Sequence, residues 1–409
     1  MRQPEVVVLG GGAAGFFAAI TCAESAPGLR VCLMEKGPRF LSKVRISGGG
    51  RCNVTHACFE PNALAAHYPR GAKALLSPFQ SFQPRDTVEW FENRGVKLKT
   101  EADGRMFPIT DSSETIIDCL MRAATGAGVE LVASRAPIAV NRREEGGFVL
   151  SFAGGEKLEC RRLMLATGGS RVLSGGKLAE ALGHTLEPPV PSLFTFHVAE
   201  PWVRTLAGIS VPDAEVAVVG LGLCERGPVL FTHSGFSGPA ILRLSAWGAR
   251  ELFATNYEFT LRIDWFPKLD AEGLVRDLEE RRRAQPARLV VNSPMGLLAA
   301  RLWEALVLSA GVSRSTRWAE LSRSARHNLV QRFQRSEFRV VGKTLNQDEF
   351  VTCGGIKLNE VNFKTMESRL CPGLYFGGEL LDIDGLTGGF NFQAAWTTGW
   401  LAGQAMAAR

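Results

Sequence analysis

Apolar and polar positions fall into three textures along this chain, and the first is set within thirty-five residues. Val6-Val7-Val8-Leu9 is an unbroken apolar run of strand length. Gly10, Gly12 and Gly15 follow at GxGxxG spacing, with Ala13 and Ala14 between them. Glycines so placed give a tight turn, a close approach of backbone to a ligand, and close packing of helix on strand. Phe16-Phe17-Ala18-Ala19-Ile20-Thr21-Cys22-Ala23 continues as a helix whose first N–H groups face any pyrophosphate at the turn. A second apolar strand, Val31-Cys32-Leu33-Met34, delivers Glu35 twenty residues after Gly15, followed by Lys36. That carboxylate is placed to accept the hydroxyls of an adenosine ribose. Strand, turn, helix, strand and acid, in that order, predict a dinucleotide site, with NAD and FAD both open.

The same texture continues to about residue 190. Lys43–His56 reads as a flexible loop, with Gly48-Gly49-Gly50 flanked by Arg45 and Arg51, whose amides and guanidiniums suit a phosphate or a planar ring. Residues 85–100 read as helix up to a turn at Gly95, and 112–128 as an amphipathic helix with Ile116, Ile117, Leu120, Met121 and Ala124 on its apolar side. Short strands are expected at 129–132, 148–152 and 157–160, the last two joined by Gly154-Gly155. Leu163-Met164-Leu165-Ala166-Thr167-Gly168-Gly169 is a buried strand closing in Ala-Thr-Gly, which lets the chain pass a bound dinucleotide.

From Pro188-Pro189-Val190-Pro191, read as a rigid connector, the pattern changes to short alternating strands through residue 265. Val216–Gly222 mimics a second nucleotide turn, but it lacks a third glycine, a following helix and a distal acid. Residues 271–335 are helical and arginine-rich. The first texture then returns. Leu374-Tyr375-Phe376-Gly377-Gly378-Glu379 reads as a strand ending in an acid, and Phe390 onward as a helix to the C-terminus. The expected architecture is therefore α/β, a Rossmann-like domain split by insertions. Its parts are 1–191 with 345–409, a β-rich insert at 192–270, and a helical, basic insert at 271–344.

Composition adds four points. With 45% hydrophobic residues in 409, the chain can bury a large core. The nine cysteines form no CxxC pair and the six histidines no HExxH, so neither a disulfide framework nor a metal site is expected. The uncharged stretch 6–23 is punctuated by glycines rather than built as a leader or a span, so no membrane segment is read and a cytoplasmic location is the default. Net charge is +6, yet residues 276–343 carry fourteen Lys/Arg against six Asp/Glu. Such asymmetry points to an anionic partner, although charge on helices is also what a solvated face looks like.

Five separated stretches, Lys43–His56, Leu165–Gly169, Phe231–Leu242, Val351–Gly355 and Gly377–Gly403, together resemble the HI0933-like (YhiN) flavoproteins. The resemblance spans nearly the whole chain and departs at Ser170–Lys177, where relatives often carry an aromatic, a proline and a Thr-Gly-Ser turn. It implies a non-covalently bound FAD and an FAD-binding fold interrupted by a β-barrel-like insert and a helical insert. The residues it brings to the cofactor are Gly10, Gly12, Ala13, Ala14, Gly15, Glu35, Lys36, Lys43, Arg45, Gly49, Gly50, Arg51, Cys52, Ala166, Thr167, Gly168, Gly378 and Glu379. To these it adds Gly389, Phe390 and Asn391, whose amides would face the negative charge of the reduced flavin.

For catalysis, Cys52 beside Arg51 is a candidate thiol, since a neighbouring guanidinium lowers a thiol pKa. His56 and His233 are candidate proton donors. The leading expectation is an FAD-dependent reductase taking hydride from NAD(P)H to an unsaturated or carbonyl-conjugated small molecule. Two alternatives stand beside it: an RNA uracil reductase of the dihydrouridine-synthase type, using the basic helical insert to hold RNA, and an aminoacetone-oxidase-like amine oxidase.

Overall fold

The computed structural model describes residues 3–169, 174–344 and 351–408. The departure at Ser170–Leu173 lies outside the described residues, as does the expected 345 boundary. Two compact units are present: Met1–Ser192 with Gln347–Arg409, and Leu193–Asn346.

The first unit is built on a seven-stranded sheet. Strand β1 (Val6–Leu9), fully apolar because both its faces are covered, pairs in parallel with β2 (Val31–Met34) on one side and Arg162–Leu165 on the other. Glu130–Val132 extends the sheet beyond β2, and Leu374–Phe376 lies parallel to Arg162–Leu165. The chain thus returns after two hundred residues to its own sheet, as the split-domain expectation requires. Helix α1 (Ala13–Ser25) crosses from β1 to β2 and packs along the C-terminal helix, Phe390–Ala407. Glycine makes that contact close: a Cβ at Gly399 would overlap the Ala14 carbonyl oxygen, and one at Gly403 would lie 2.7 Å from that of Ala18.

Three local readings are revised. The stretch expected as a loop after β2 begins as helix α2 (Ser42–Gly50), anchored by buried Leu41 and Val44; it breaks where Gly48 and Gly49 adopt φ of 58° and 69°. Residues 85–100 divide into a helix, Pro84–Glu92, and a strand, Leu98–Thr100. Pro188-Pro189 is no connector but the interior of strand Leu186–Ser192, which pairs antiparallel with Val351–Ile356. The register shifts between Glu187 and Val190, and that bulge accommodates two residues without N–H donors.

The second unit holds a closed antiparallel barrel of six strands. Val216–Gly222 lies at a hairpin there: strand Ser210–Val218 turns through Gly220 and Gly222, both at positive φ, into Leu223–Phe231. Residues 336–344, read from sequence within the helical insert, form the strand that closes the barrel by pairing with Thr195–Val198 and Glu258–Asp264. The alternation buries Ser336, Phe338 and Val340 and exposes the residues between them. Barrel and helices share one core. Phe196, Phe236 and Phe338 from strands, with Trp265 just past the end of Glu258–Asp264, meet Trp303 and Phe333 from helices, and Trp265 Nε1 donates to Ser336 Oγ at 2.9 Å.

Candidate functional site

The sequence-expected ligand residues of the first unit gather at the carboxyl ends of adjacent parallel strands, where open α/β sheets bind ligands. Gly10 follows β1, Glu35 follows β2, Ala166–Gly168 follow Arg162–Leu165, and Gly378–Glu379 follow Leu374–Phe376. Each glycine of the first turn has its own reason. Gly10 sits at φ +115°, with the Ala166 carbonyl where a Cβ would be; a Cβ at Gly15 would overlap the Gly10 carbonyl oxygen. At Gly12 a Cβ would meet nothing within 4 Å, so the backbone there is open to a ligand. Gly12 caps α1, no side chain hydrogen-bonds to the cap, and no acid stands in the first turn. The first amides of α1 are therefore left for an external anion.

Both Glu35 oxygens hold the turn, Oε2 accepting Gly11 N–H at 2.8 Å and Oε1 accepting Gly37 N–H at 2.7 Å. Each oxygen keeps a further lone pair for a ribose hydroxyl. Lys36 is exposed beside it. Lys43, on α2, donates to Glu379 Oε2 at 2.6 Å, while Glu379 Oε1 accepts Thr352 N–H at 2.8 Å. Thr352 Oγ1 is buried and has no hydrogen-bond partner among the described residues. Arg45 pairs with Glu114, and Arg51 with Glu101 at 2.7 Å, its guanidinium lying 4.0 Å above the Phe107 ring. The two arginines expected to flank a ligand thus have carboxylate partners. Gly49, Gly50 and Gly168 face open space instead, with nothing within 4 Å of a Cβ. Open glycine backbone, uncapped helix amides and an orphaned hydroxyl are the features that an elongated, phosphate-bearing dinucleotide would fill.

The C-terminal helix starts at the same end of the sheet. Its N-cap, Gly389, has φ +97° and sits against the Thr55 backbone. Asn53 bridges the two segments: its side-chain oxygen accepts Gly389 N–H and its nitrogen donates to the Thr55 carbonyl, each at 3.0 Å. Asn391 closes the preceding loop by accepting Gly385 N–H (2.8 Å) and donating to Gly385 O (2.9 Å). Tyr68 Oη donates to Phe390 O at 2.6 Å. Gln393 accepts from Thr55 (2.6 Å) and Thr87 (2.9 Å), all of them buried. Asn53, Thr352 and Gln393 lie within the stretches that carry the family resemblance but were given no role of their own there, and Tyr68 lies outside them.

The candidate catalytic residues separate. Cys52 is fully buried at φ +61°, and desolvation pushes its thiol up to about 12, against the expectation that Arg51 would lower it. It is a protonated, packed thiol. His56 stacks on Phe390 at 4.7 Å between ring centres, and His67, absent from the sequence reading, does so at 4.3 Å. Burial holds the His56 pKa below its usual value, partly opposed by the Asp103 carbonyl 3.1 Å from Nε2. A carbonyl only accepts, so Nε2 carries the proton; Nδ1 is a buried acceptor with no partner among the described residues. His233 belongs to the second unit, where it is exposed at a turn beside Thr232. Among the described residues no cluster of His, Cys, Asp and Glu is arranged for a metal, and no helix is long and apolar enough to cross a membrane.

Residues 4–405 match the family described as HI0933-like protein Rossmann domain. The chain belongs to the HI0933-like family. It is an FAD-dependent oxidoreductase of that family. It is 31% identical to the ribosomal RNA dihydrouridine synthase of Escherichia coli (strain K12), over 99% of this chain and 98% of that one. It is 28% identical to the 3-dehydro-bile acid delta(4,6)-reductase of Clostridium scindens, over 98% of each. In fold it is similar to the 3-ketosteroid-delta4-(5alpha)-dehydrogenase of Rhodococcus jostii RHA1, with a TM-score of 0.53 at 16% identity, covering 99% of this chain and 97% of that one.

Proposed function

We propose that this HI0933-like protein reduces a carbon–carbon double bond conjugated to a carbonyl, taking hydride from NAD(P)H by way of FAD, and that the bond is that of a uracil ring in ribosomal RNA. The observation that carries the reading is the open glycine edge that joins the uncapped α1 to the start of the C-terminal helix. The turn Gly10–Gly15 and the first amides of α1 hold the pyrophosphate, and Glu35 holds the adenosine ribose. Gly49, Gly50, Gly168, Thr352 and the Lys43–Glu379 pair line the middle, and the amides of Phe390 and Asn391 face the far end. FAD bound there supplies a ring that takes up hydride and gives it out again.

The protein's own part is placement and electrostatics. Asn53, Asn391 and Tyr68 fix the start of the C-terminal helix, whose positive end favours negative charge beside it. His56 is neutral at pH 7 and adds no competing charge. Cys52, buried and protonated, takes no part, so no thiol–disulfide relay is included. Ribosomal RNA is favoured as substrate by the full-length similarity to the E. coli synthase and by the positive excess of residues 276–343.

The test is anaerobic. The flavin of the purified protein should bleach with NADH or NADPH and recover its colour when unmodified ribosomal RNA is added, with dihydrouridine appearing in the RNA digest. Recovery with a steroid enone but not with RNA would move the substrate to the class named for the C. scindens relative. Failure to bleach with either nicotinamide would remove NAD(P)H as donor.

A further inference from the structure

Two sets of arginines in the second unit differ in their partners. In one, each guanidinium meets a carboxylate: Arg226 with Asp213 at 2.8 Å, Arg243 with Glu225 at 2.9 Å, Arg326 with Glu279 at 2.5 Å. The other group lies in residues 281–319, which contain seven arginines, no lysine and a single acid, Glu304. Glu304 pairs with Arg314 at 3.1 Å. The rest have no ion-pair partner among the described residues, and several donate to backbone carbonyls instead. Arg281 reaches Ser293 O and Pro294 O, Arg282 reaches Ala319 O and Arg301 reaches Thr205 O, all at 3.3 Å; Arg288 reaches Asn292 O at 2.9 Å.

A carbonyl orients a guanidinium without cancelling its charge, and each guanidinium has five donors, so most of its fork remains for another acceptor. Arg281, Arg282, Arg288 and Arg317 adjoin one another, and Arg301 stands at the start of the helix that follows Leu297. Arg281 and Arg282 end one helix, and Arg317 pairs with Leu289 across an isolated bridge beside Arg288. One apolar side chain interrupts the charge. Leu297 is 77% exposed, the most exposed large hydrophobic residue described, although Met295 and Leu298 on either side are 2% and 6% exposed. Gly296 at φ +56° makes the turn that sends Leu297 outward.

We infer that this surface docks an RNA strand, the guanidiniums of Arg281, Arg282, Arg288, Arg301 and Arg317 on successive phosphodiesters and Leu297 against an unstacked base. Phosphates answer the uncompensated charge, and a base face answers the isolated leucine, as single-stranded nucleic acid offers both along one chain. The inference rests on the RNA reading above and adds to it the residues that do the holding.

The test measures binding of a fluorescent single-stranded oligouridine by the FAD-loaded, full-length protein between 50 and 200 mM salt. For five phosphate contacts, the affinity should fall roughly a hundredfold across that range. The triple variant R282E/R288E/R301E should bind at least about tenfold more weakly, with a log–log salt slope shallower by about two. L297A should weaken binding and leave the slope unchanged. Flavin content and melting temperature confirm that the variants fold. Binding by the triple variant at wild-type strength and slope overturns the inference. So does wild-type binding to phosphatidylglycerol vesicles without binding to oligouridine, which assigns the surface to lipid. Dihydrouridine formation in unmodified ribosomal RNA by the wild type is scored separately. Product with no loss of binding in the variants means that only the surface is wrong, and no product and no binding brings down the RNA reading as well.

Discussion

The side-chain oxygen of Asn53 accepts the N–H of Gly389 at 3.0 Å, so a residue just past α2 secures the first amide of the C-terminal helix. Replacing Asn53 by alanine leaves that buried N–H and the Thr55 carbonyl without their partner. An unsatisfied buried group costs about 1–3 kcal/mol. N53A should therefore lower the unfolding free energy by that order, shift the urea midpoint down, and release FAD at a lower urea concentration than wild type. Unchanged retention of FAD would show that the helix start holds its place without Asn53.

Gly399 tests the packing from the other side. Because a Cβ there overlaps the Ala14 carbonyl oxygen, G399A must push the C-terminal helix away from α1, and overpacking of this kind costs about 1–3 kcal/mol. Ala14 lies in the first turn of α1, whose amides the proposed function gives to the pyrophosphate. The melting temperature should fall, and FAD affinity should fall with it; an alanine at Gly126, exposed and with open space around it, should do neither.

Asp264 gives a pH dependence. Burial raises its carboxyl from 3.8 to about 6, against the opposing hydrogen bond from Phe266 N–H at 2.8 Å. A carboxyl raised in the folded state favours folding while it is protonated. The contribution is present in full below about pH 4 and is lost as pH rises through 6. D264N keeps the acceptor for Phe266 and removes the charge. It should match wild type near pH 4 and be more stable at pH 8, by about 3 kcal/mol at most. Denaturation curves at the two pH values decide it; a difference of the opposite sign would mean that the carboxylate is stabilised by its surroundings.

Cys52 should be inert. A thiol with a pKa of about 12 is ionised at pH 8 to roughly one part in ten thousand, whereas Cys224 is exposed. Brief iodoacetamide treatment of the native protein, read by peptide mass spectrometry, should label Cys224 and spare Cys52.

What was legible in the sequence was what local geometry enforces. Gly10, Gly12 and Gly15 announced their turn by their spacing between an apolar strand and a helix, although the Ala166 carbonyl that Gly10 makes room for lies far along the chain, and β1 declared itself buried by having no polar face. The split domain followed from Leu374–Glu379 repeating that style. Less legible were features created by distant partners. Asn53 and Thr352 look ordinary until the fold places Gly389 and Glu379 beside them. Pro188-Pro189 reads as a break unless the bulge opposite Val351–Ile356 is known. Arg51 beside Cys52 in sequence suggested an activated thiol, but its guanidinium turns to Glu101 and Phe107, and burial decides the thiol's state instead. The closing barrel strand, Ser336–Thr344, was hidden by the arginine-rich helices before it, since charge on its exposed face matches theirs.

The paired strands Leu186–Ser192 and Val351–Ile356 have a consequence for how such a protein diversifies. Ser192 faces Val351, so the chain leaves the cofactor-binding unit and re-enters it at neighbouring rungs of one ladder. Facing residues of an antiparallel ladder stand about 5 Å apart, a gap of the size that a short hairpin closes. Everything between those rungs can be lengthened, exchanged or pruned in evolution while the ends that it hangs from stay put. A lineage with this junction can exchange a whole cassette without rebuilding the sheet of the first unit.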